Sequence, residues 1–320
     1  MTTSADTSWK PQPYAVADST LPTSVQVYEV GPRDGLQAES QLIPTGIKAD
    51  FCQRLVAAGV STIEVTSFVS PKWIPQLADA EQLIAGLDLP KRIRQVVLTP
   101  NQRGLDRALT AGAHEIAVFV SATETFASKN LNTSVQGALD AVRPVVAGAR
   151  EAGLPVRGYI SMVFGDPWEG RVTSAQVATV AEQLIQMGVN SLSLGDTIGV
   201  ATPGHVHEVL AAVLSKGIDV SAVAMHFHDT YGQALANVYA SLQAGVTEFD
   251  ASAGGLGRCP YAKGATGNLA TEDLLWMLHG LGIATGIDLE ALTDASIWMA
   301  KQIGHPPASR VVTALAAARS

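Results

Sequence analysis

The chain is poor in cysteine and lacks both long apolar runs and targeting signals. Cys52 and Cys259 are its only cysteines in 320 residues, which excludes a disulfide framework and fits a reducing cytoplasm. No run approaches the roughly 18 apolar residues that a membrane helix needs. Residues 1–24 have neither the basic start and apolar core of a signal peptide nor the arginines of a transit peptide. We therefore expect a cytoplasmic protein with no membrane partner, beginning with a loosely ordered arm over residues 1–24.

Charge is also scarce, at 16% of residues, and the net charge of −8 argues against nucleic acid as a partner. An anionic small substrate stays open, because local basic residues can override the global sign. The hydrophobic fraction of 47% supports a substantial core. No Pro/Ser-rich linker interrupts residues 25–300. We expect one catalytic domain over residues 25–305, including its closing helices, and a tail of unassigned structure over 306–320.

Strand-like and helix-like segments alternate along the chain. Eight short apolar runs predict strands at Val25–Val30, Thr62–Phe68, Arg94–Thr99, Glu115–Ser121, Val156–Val163, Ser191–Leu194, Ala222–Phe227 and Glu248–Ala251. Apolar residues at three- and four-residue spacing predict helices at Ile47–Ala58, Ala78–Leu87, Gly104–Ala111, Val135–Ala152, Ser174–Met187, Gly204–Leu214, Gln233–Ala244, Thr271–Leu281 and Asp288–Gly304. Five of these helices end on a glycine suited to a left-handed C-cap: Gly59, Gly112, Gly153, Gly188 and Gly245.

Eight strand–helix units in roughly 250 residues are typical of an α/β protein with a (β/α)₈ TIM barrel, here with additional C-terminal helices. The alternative is an open doubly wound sheet. The turn after the first strand, Gly31-Pro32-Arg33-Asp34-Gly35, lacks the G-x-G-x-x-G pattern that would favour that alternative. In a barrel, the functional residues lie at the C-terminal ends of the strands.

The most informative motif is His226-Phe227-His228-Asp229, at the end of the seventh strand. Side chains alternate along a strand, so His226 and His228 share one face and Phe227 lies on the other. Two imidazoles on one face of a strand end can bind one metal ion. A histidine in a strand is otherwise often a hydrogen-bonded core residue, but the paired spacing favours a metal site.

Four charged residues near other strand ends strengthen this interpretation. Arg33 and Asp34 lie side by side in the glycine turn, although Asp34 could instead cap a helix and Arg33 could be a surface cation. Glu64 and Asp196 lie in predicted strands, where a buried carboxylate needs a partner or a proton. An inward Glu64 beside Arg33 would meet that need.

A long glycine-rich segment, residues 254–268, contains Cys259. It lacks the G-x-x-x-x-G-K-[ST] spacing of a P-loop. It could be a plain connector, but a cysteine in a glycine-rich loop suggests a lid over a bound substrate. Cys52, between apolar residues of the first helix, is expected to be inert core.

The chain resembles the 3-hydroxy-3-methylglutaryl-CoA lyase family of metal-dependent TIM barrels. The resemblance covers nearly all of residues 25–295. The stretches that carry it are Glu29-Val30-Gly31-Pro32-Arg33-Asp34-Gly35-Leu36-Gln37, Thr66-Ser67-Phe68-Val69-Ser70-Pro71-Lys72-Trp73, Ser193-Leu194-Gly195-Asp196-Thr197-Ile198-Gly199, His228-Asp229-Thr230-Tyr231-Gly232-Gln233-Ala234-Leu235-Ala236-Asn237 and the cysteine loop through Gly267-Asn268-Leu269-Ala270-Thr271-Glu272-Asp273.

The resemblance implies cleavage of 3-hydroxy-3-methylglutaryl-CoA to acetyl-CoA and acetoacetate, a place in leucine catabolism, an acyl-CoA substrate and a homodimer. It implies a divalent metal, Mg²⁺ or Mn²⁺ with Zn²⁺ as a further option. Its implied metal ligands are Asp34, His226, His228 and Asn268. Its implied catalytic residues are Arg33 at the thioester, Cys259 as the lid thiol, the supporting carboxylates Glu64 and Asp196, and His226 or Asp34 as the base. With Arg33, its implied substrate-binding residues are Ser67, Lys72, Asn130, Tyr159 and Thr197.

One departure bears on the substrate. Arg258 stands where the family pattern has a second glycine, and Lys263 adds another cation nearby. The extra positive charge could bind a CoA phosphate, or Arg258 could stiffen the loop, and either effect could change the acyl preference. Three alternatives therefore stay open: a lyase for citramalyl-CoA or a longer-branched hydroxyglutaryl-CoA, a Claisen-condensing synthase, and a metal-binding barrel without activity.

Overall fold

The computed structural model describes residues 11–258 and 267–319. In this part of the chain, eight parallel strands form one closed barrel. The strands are β1 (Gln26–Glu29), β2 (Thr62–Ser67), β3 (Arg94–Leu98), β4 (Glu115–Ser121), β5 (Val156–Ser161), β6 (Ser191–Asp196), β7 (Val223–Phe227) and β8 (Glu248–Ala251). Each strand pairs with the next, and β8 closes on β1 with Gln26 opposite Glu248. The predicted TIM barrel is confirmed.

Helices surround the barrel and extend beyond its last strand. They are α1 (Thr45–Ala57), α2 (Ala80–Gly86), α3 (Gln102–Thr110), α4 (Glu124–Phe126), α5 (Val135–Glu151), α6 (Ser174–Met187), α7 (Pro203–Leu214), α8 (Ala234–Gln243), α9 (Thr271–Gly280), α10 (Leu289–Ile303) and α11 (Arg310–Ala318). Two π-helical turns, Gly31–Gly35 and Ala127–Leu131, lie near the C-terminal ends of β1 and β4. Within the described ranges, no helix has the length and apolar character to cross a membrane.

The five glycines predicted to end helices all have positive φ angles, as a left-handed C-cap requires. At Gly59 a side chain is also excluded by packing. A Cβ atom there would lie 2.2 Å from the carbonyl oxygen of Gly286. These glycines turn the chain from each helix into the next strand, and so they keep the strand–helix units short.

The main apolar core lies between the strands and the helices. Cys52 is a free thiol buried there, and burial raises its pKa to about 12. The side chains inside this barrel are more polar than the branched aliphatic side chains that usually fill a TIM barrel. Arg157 is fully buried and forms ion pairs with Glu248 and Asp250. Charged side chains therefore extend through the barrel beneath its C-terminal mouth.

Both described ends of the chain pack on the barrel. Near the N-terminus, Val16 donates its backbone N–H to the carbonyl of Gly280 at 2.9 Å. The tail left unassigned by the sequence contains α11. The residues before α11 approach the loop after β8, where Ala308 donates its N–H to the carbonyl of Gly254 at 2.9 Å. The C-terminal segment thus forms part of the barrel mouth.

Candidate active site and metal centre

Most of the predicted site residues that the structure describes gather at the C-terminal mouth of the barrel. Parallel strands direct all their C-terminal ends to the same rim, so residues distant in sequence meet there. The π-helical turn after β1 supplies Arg33 and Asp34. Strand β2 supplies Glu64, and β7 with the residue after it supplies His226 and His228. Cys259 and Lys263 lie outside the described residues.

The π-helical turn depends on glycine at its C-terminal end. A Cβ atom on Gly35 would lie 2.7 Å from Cβ of Leu256, an atom fixed close to the backbone that cannot move aside. The turn can therefore sit against the loop after β8 only with glycine at this position, and this packing holds Arg33 and Asp34 at the mouth.

Arg33 connects the two carboxylates that the sequence placed near it. Its Nε donates to Oε2 of Glu64 at 2.7 Å, and its NH1 donates to Oδ1 of Asp34 at 2.6 Å. Glu64 is fully buried, and burial raises its pKa despite the opposing charge of Arg33. Burial also disfavours ionisation of Asp34, but Arg33 and His226 outweigh it and lower the pKa of Asp34 to about 2. Asp34 is therefore ionised at neutral pH.

Asp34, His226 and His228 form a cluster of potential metal ligands. One ligand atom from each residue lies within 4.8 Å of the other two. Burial lowers the pKa of His228 to about 3. Its imidazole is consequently neutral at physiological pH, which is the form that binds metals.

The donor atoms around this cluster fit a divalent cation. Nδ1 of His228 and Oδ1 of Asn268 are buried and have no hydrogen-bond partner among the described residues. Asn268 also donates from Nδ2 to Oδ2 of Asp34 at 2.8 Å, so it stands at the edge of the cluster. Buried polar atoms without a partner are costly, and a cation at this point would satisfy both of them. Imidazole, carboxylate and amide oxygen are all ligands of divalent metals in proteins.

His226 differs from His228 in its surroundings. Its Nδ1 lies 3.2 Å from Oδ2 of the buried Asp250. Burial acts to lower the pKa of His226, but the hydrogen bond and charge of Asp250 raise it overall. Sequence reasoning missed Asp250, although a carboxylate inside the apolar strand Phe249-Asp250-Ala251 is the same signal that singled out Glu64.

Asp196 is buried and is not part of the described cavity lining. Its two carboxylate oxygens accept the backbone N–H groups of Val200 and Ala201 at 2.9 and 3.1 Å. Burial raises its pKa to about 7. In this position Asp196 orders the loop that carries Thr197.

A cavity of about 1030 Å³ opens above the cluster. Of the residues predicted to bind substrate, Arg33, Ser67, Asn130, Tyr159 and Thr197 line its wall. Lys72 is exposed and is absent from the described lining, whereas its neighbour Trp73 is part of it. Arg258, singled out as a cation near the substrate, is part of the wall, whereas the sequence missed Lys129 and the C-terminal residues 305–308. Contact with the C-terminal segment depends on tertiary packing, and no local pattern signals it.

Two further buried carboxylates support the loop after β8. Glu29 accepts the N–H of Ala253 at 2.9 Å, and Glu272 accepts the N–H of Gly254 at 2.8 Å. Burial raises the pKa of Glu29 to about 7 and that of Glu272 to about 8. These hydrogen bonds fix the backbone that precedes the segment containing Cys259.

Comparison with known proteins identifies close relatives. The model of the family described as HMGL-like matches residues 24–298. A mitochondrial hydroxymethylglutaryl-CoA lyase of Rattus norvegicus is 49% identical over 295 residues, covering 92% of this chain and 90% of that protein. The mitochondrial enzyme of Arabidopsis thaliana is 48% identical over 92% of this chain, which spans 63% of that longer protein. A 3-hydroxy-3-methylglutaryl-CoA lyase of Danio rerio described as cytoplasmic is 48% identical over 91% of this chain and 87% of its own length.

Solved structures agree with these relatives. A hydroxymethylglutaryl-CoA lyase from Pseudomonas aeruginosa superposes with a TM-score of 0.91 at 49% identity, covering 93% of this chain and 99% of its own. An HMG-CoA lyase from Acinetobacter baumannii, in complex with coenzyme A and 3-methylmalate, has a TM-score of 0.87 at 37% identity and covers 93% and 97% of the two chains.

Proposed function

This chain belongs to the HMGL-like family, and from that premise we propose that it is a carbon–carbon lyase that cleaves 3-hydroxy-3-methylglutaryl-CoA to acetyl-CoA and acetoacetate. One observation carries the proposal. The ligand atoms of Asp34, His226 and His228 lie within 4.8 Å of one another, with the Arg33 guanidinium beside them and a cavity of about 1030 Å³ above them. The complex of the Acinetobacter baumannii relative with coenzyme A supports an acyl-CoA as the occupant of that cavity.

The reaction has two chemical requirements. The C3 hydroxyl must lose its proton, and the electron pair of the C2–C3 bond must be accepted by the thioester as that bond breaks. Asp34, His226, His228 and Asn268 would hold a divalent cation, which when bound supplies Lewis acidity toward the substrate hydroxyl. Mg²⁺ and Mn²⁺ suit the oxygen ligands, while the two imidazoles also suit Zn²⁺.

Arg33 meets the second requirement. Its guanidinium lines the cavity and is held by Glu64 and Asp34, so its position is set before substrate arrives. A positive charge fixed in a buried site stabilises negative charge that develops on a thioester enolate oxygen, and it does so without reorganising in the reaction. The pairing with Glu64 therefore serves to orient Arg33.

Proton transfer needs a base at the hydroxyl and an acid at the product carbanion. Asp34 and His226 are the candidate bases, since both line the cavity at the cluster. Cys259 is the candidate acid, delivering a proton to C2 of the acetyl-CoA carbanion. Its assignment rests on the sequence resemblance. Arg258, the last described residue before it, lines the cavity.

Arg258 favours a second candidate function. A guanidinium in the wall adds a donor for a carboxylate or phosphate, and this would suit a lyase acting on citramalyl-CoA or a longer-branched hydroxyglutaryl-CoA. A panel of 3-hydroxyacyl-CoA substrates assayed with and without a chelator separates the candidates. We expect the highest kcat/KM with 3-hydroxy-3-methylglutaryl-CoA and loss of turnover with chelator. A preference for another acyl group would establish the second function.

The same panel addresses the remaining alternatives. Condensation of acetyl-CoA with a keto acid at a rate above cleavage would indicate a synthase. Metal binding with no turnover on any acyl-CoA would indicate a binding protein and contradict the proposal. A cytoplasmic location, a homodimer and a place in leucine catabolism stay predictions. Relatives are described as mitochondrial as well as cytoplasmic.

A further inference from the structure

We propose that Asp250 is a positioning residue for the metal centre, and that it acts by selecting the tautomer of His226. The inference rests on the proposed function, because it concerns how one member of the cluster is prepared to bind a cation. Asp250 lies on β8, directly opposite His226 on β7 in the strand register. Neighbouring residues in register place their side chains on the same side of a sheet, here the inside of the barrel.

The contact between the two side chains determines where the imidazole proton lies. Oδ2 of Asp250 is 3.2 Å from Nδ1 of His226. A carboxylate can only accept a hydrogen bond, so Nδ1 must carry the proton and donate it. The lone pair of the neutral ring then lies on Nε2. Nε2 is left to serve as the ligand, because a protonated ring nitrogen cannot bind a metal, and the candidate base is then Asp34.

Asp250 is itself held by two other strands. Arg157 of β5 forms an ion pair with its Oδ1, and Ser193 of β6 donates from Oγ to its Oδ2 at 2.8 Å. Asp250, Arg157 and Ser193 are all buried, and the Arg157 guanidinium stacks over the ring of Tyr28 at 4.0 Å. The carboxylate therefore has one orientation, and it transmits that orientation to His226.

If Asp250 served only as the ion-pair partner of Arg157, its second oxygen would not need to contact His226. Arg157 already has a second carboxylate partner in Glu248, which lies two residues further from the mouth on β8. Buried ion pairs are weak sources of stability, because desolvation offsets most of the attraction. Asp250 nevertheless directs its second oxygen to an imidazole of the cluster. His228, by contrast, has no described partner at Nδ1. Of the two histidines, only His226 is oriented by a carboxylate in the described structure.

The substitution Asp250→Asn tests the proposal because Arg157 dictates the orientation of the new amide. Arg157 is a donor only, so the amide oxygen must take the place of Oδ1 and the amide NH₂ must take the place of Oδ2. The NH₂ group then donates to Nδ1 of His226 and forces the proton onto Nε2. Titration of the protein with Mn²⁺, followed by electron paramagnetic resonance of the free ion, should show about a ten- to hundredfold loss of affinity.

Glu248→Gln is the matched control. It removes the other carboxylate partner of Arg157 and leaves the contact of Asp250 with His226 intact. We expect it to lower the melting temperature without changing the affinity for Mn²⁺. If both variants lose stability equally and both retain the wild-type Mn²⁺ affinity, Asp250 is only a structural partner of Arg157 and the proposal is overturned.

Nitrogen NMR of the metal-free wild-type protein, recorded at a pH high enough for the His226 ring to be neutral, gives a readout that needs no variant. The ¹⁵N shifts of His226 should report a proton on Nδ1, and those of Asp250→Asn a proton on Nε2. A wild-type proton on Nε2 would overturn the proposal even if Asp250→Asn did not fold. Failure of the wild-type protein to bind Mn²⁺ would instead contradict the metal centre of the proposed function, and the tautomer measurement would still decide the role of Asp250.

Discussion

Replacing Arg33 with glutamine tests whether its charge serves chemistry or only the fold. In the structure, Arg33 lies between Glu64 and Asp34, with donor–acceptor distances of 2.7 and 2.6 Å. Glutamine keeps a hydrogen-bonding group of smaller size and removes the positive charge. The variant therefore changes two quantities at once, namely stabilisation of the enolate oxygen and neutralisation of a fully buried carboxylate.

The two effects have different expected sizes. Loss of one preorganised charge contact in the transition state should lower kcat by about 10²- to 10³-fold. Loss of the cation beside a buried carboxylate should lower the free energy of unfolding by about 3–5 kcal/mol. This loss of stability becomes smaller when Glu64 takes up a proton, and burial already raises the pKa of Glu64. Binding of Mn²⁺ should be retained, because Asp34, His226 and His228 are unchanged.

The double variant Arg33→Gln/Glu64→Gln separates the two effects. With both charges removed, the buried pair becomes two neutral amides, and the free energy of unfolding measured in urea should recover most of its loss. Turnover of 3-hydroxy-3-methylglutaryl-CoA at saturating substrate should stay as low as in the single variant. Unchanged kcat in Arg33→Gln, or recovery of kcat in the double variant, would refute a catalytic role for Arg33.

Three further predictions concern other parts of the site. Cys259→Ala should retain its fold and Mn²⁺ affinity and lose most of its activity; full activity would exclude the thiol from proton transfer. Tyr159 has a buried Oη without a described partner, so Tyr159→Phe should keep the melting temperature or raise it, while KM rises if the substrate supplies the missing partner. Glu272 has a pKa raised by burial from 4.5 to about 8, so its protonated form is favoured in the folded state. Its stabilising contribution is complete below about pH 4.5 and is lost as the pH rises through about 8, at up to about 1.4 kcal/mol per pH unit. Urea unfolding at several pH values should show a steeper loss in the wild type than in Glu272→Gln, where the buried Glu29 and Asp196 still contribute, and parallel profiles would contradict the assignment.

The barrel was predictable because local signals repeat along the chain. Strand β7 illustrates this, since its predicted span of Ala222–Phe227 differs by one residue from the observed Val223–Phe227. The glycine after five of the helices adds an independent signal, because its positive φ angle ends the helix regardless of tertiary context. With strand and helix signals in every unit and cap signals in five of them, the closed parallel barrel is the architecture that satisfies all of them.

The elements that were not predicted depend on contacts between distant parts of the chain. The π-helical turn Gly31–Gly35 depends on the packing of Gly35 against Leu256. Helix α11 is preceded by its N-cap residue Ser309, whose Oγ donates to Oδ1 of Asp273 at 2.6 Å. Neither contact leaves a periodic pattern in the sequence. Residues 306–320 therefore could not be assigned, and their part in the cavity wall was not foreseen.

The buried carboxylates show most clearly what a sequence can and cannot reveal about this site. Glu29, Glu64 and Asp250 each interrupt an apolar strand, and on that ground alone all three could have been marked as needing a partner. The partners nevertheless differ in kind: backbone N–H groups for Glu29, a guanidinium for Glu64, and an imidazole with a guanidinium for Asp250. Those partners are determined by strand register across the closed barrel, and a slip of one residue would place each carboxylate on the opposite face. The sequence thus identifies where charge must be neutralised. Closure of the barrel decides whether that neutralisation orders a loop, orients Arg33 or selects the tautomer of His226.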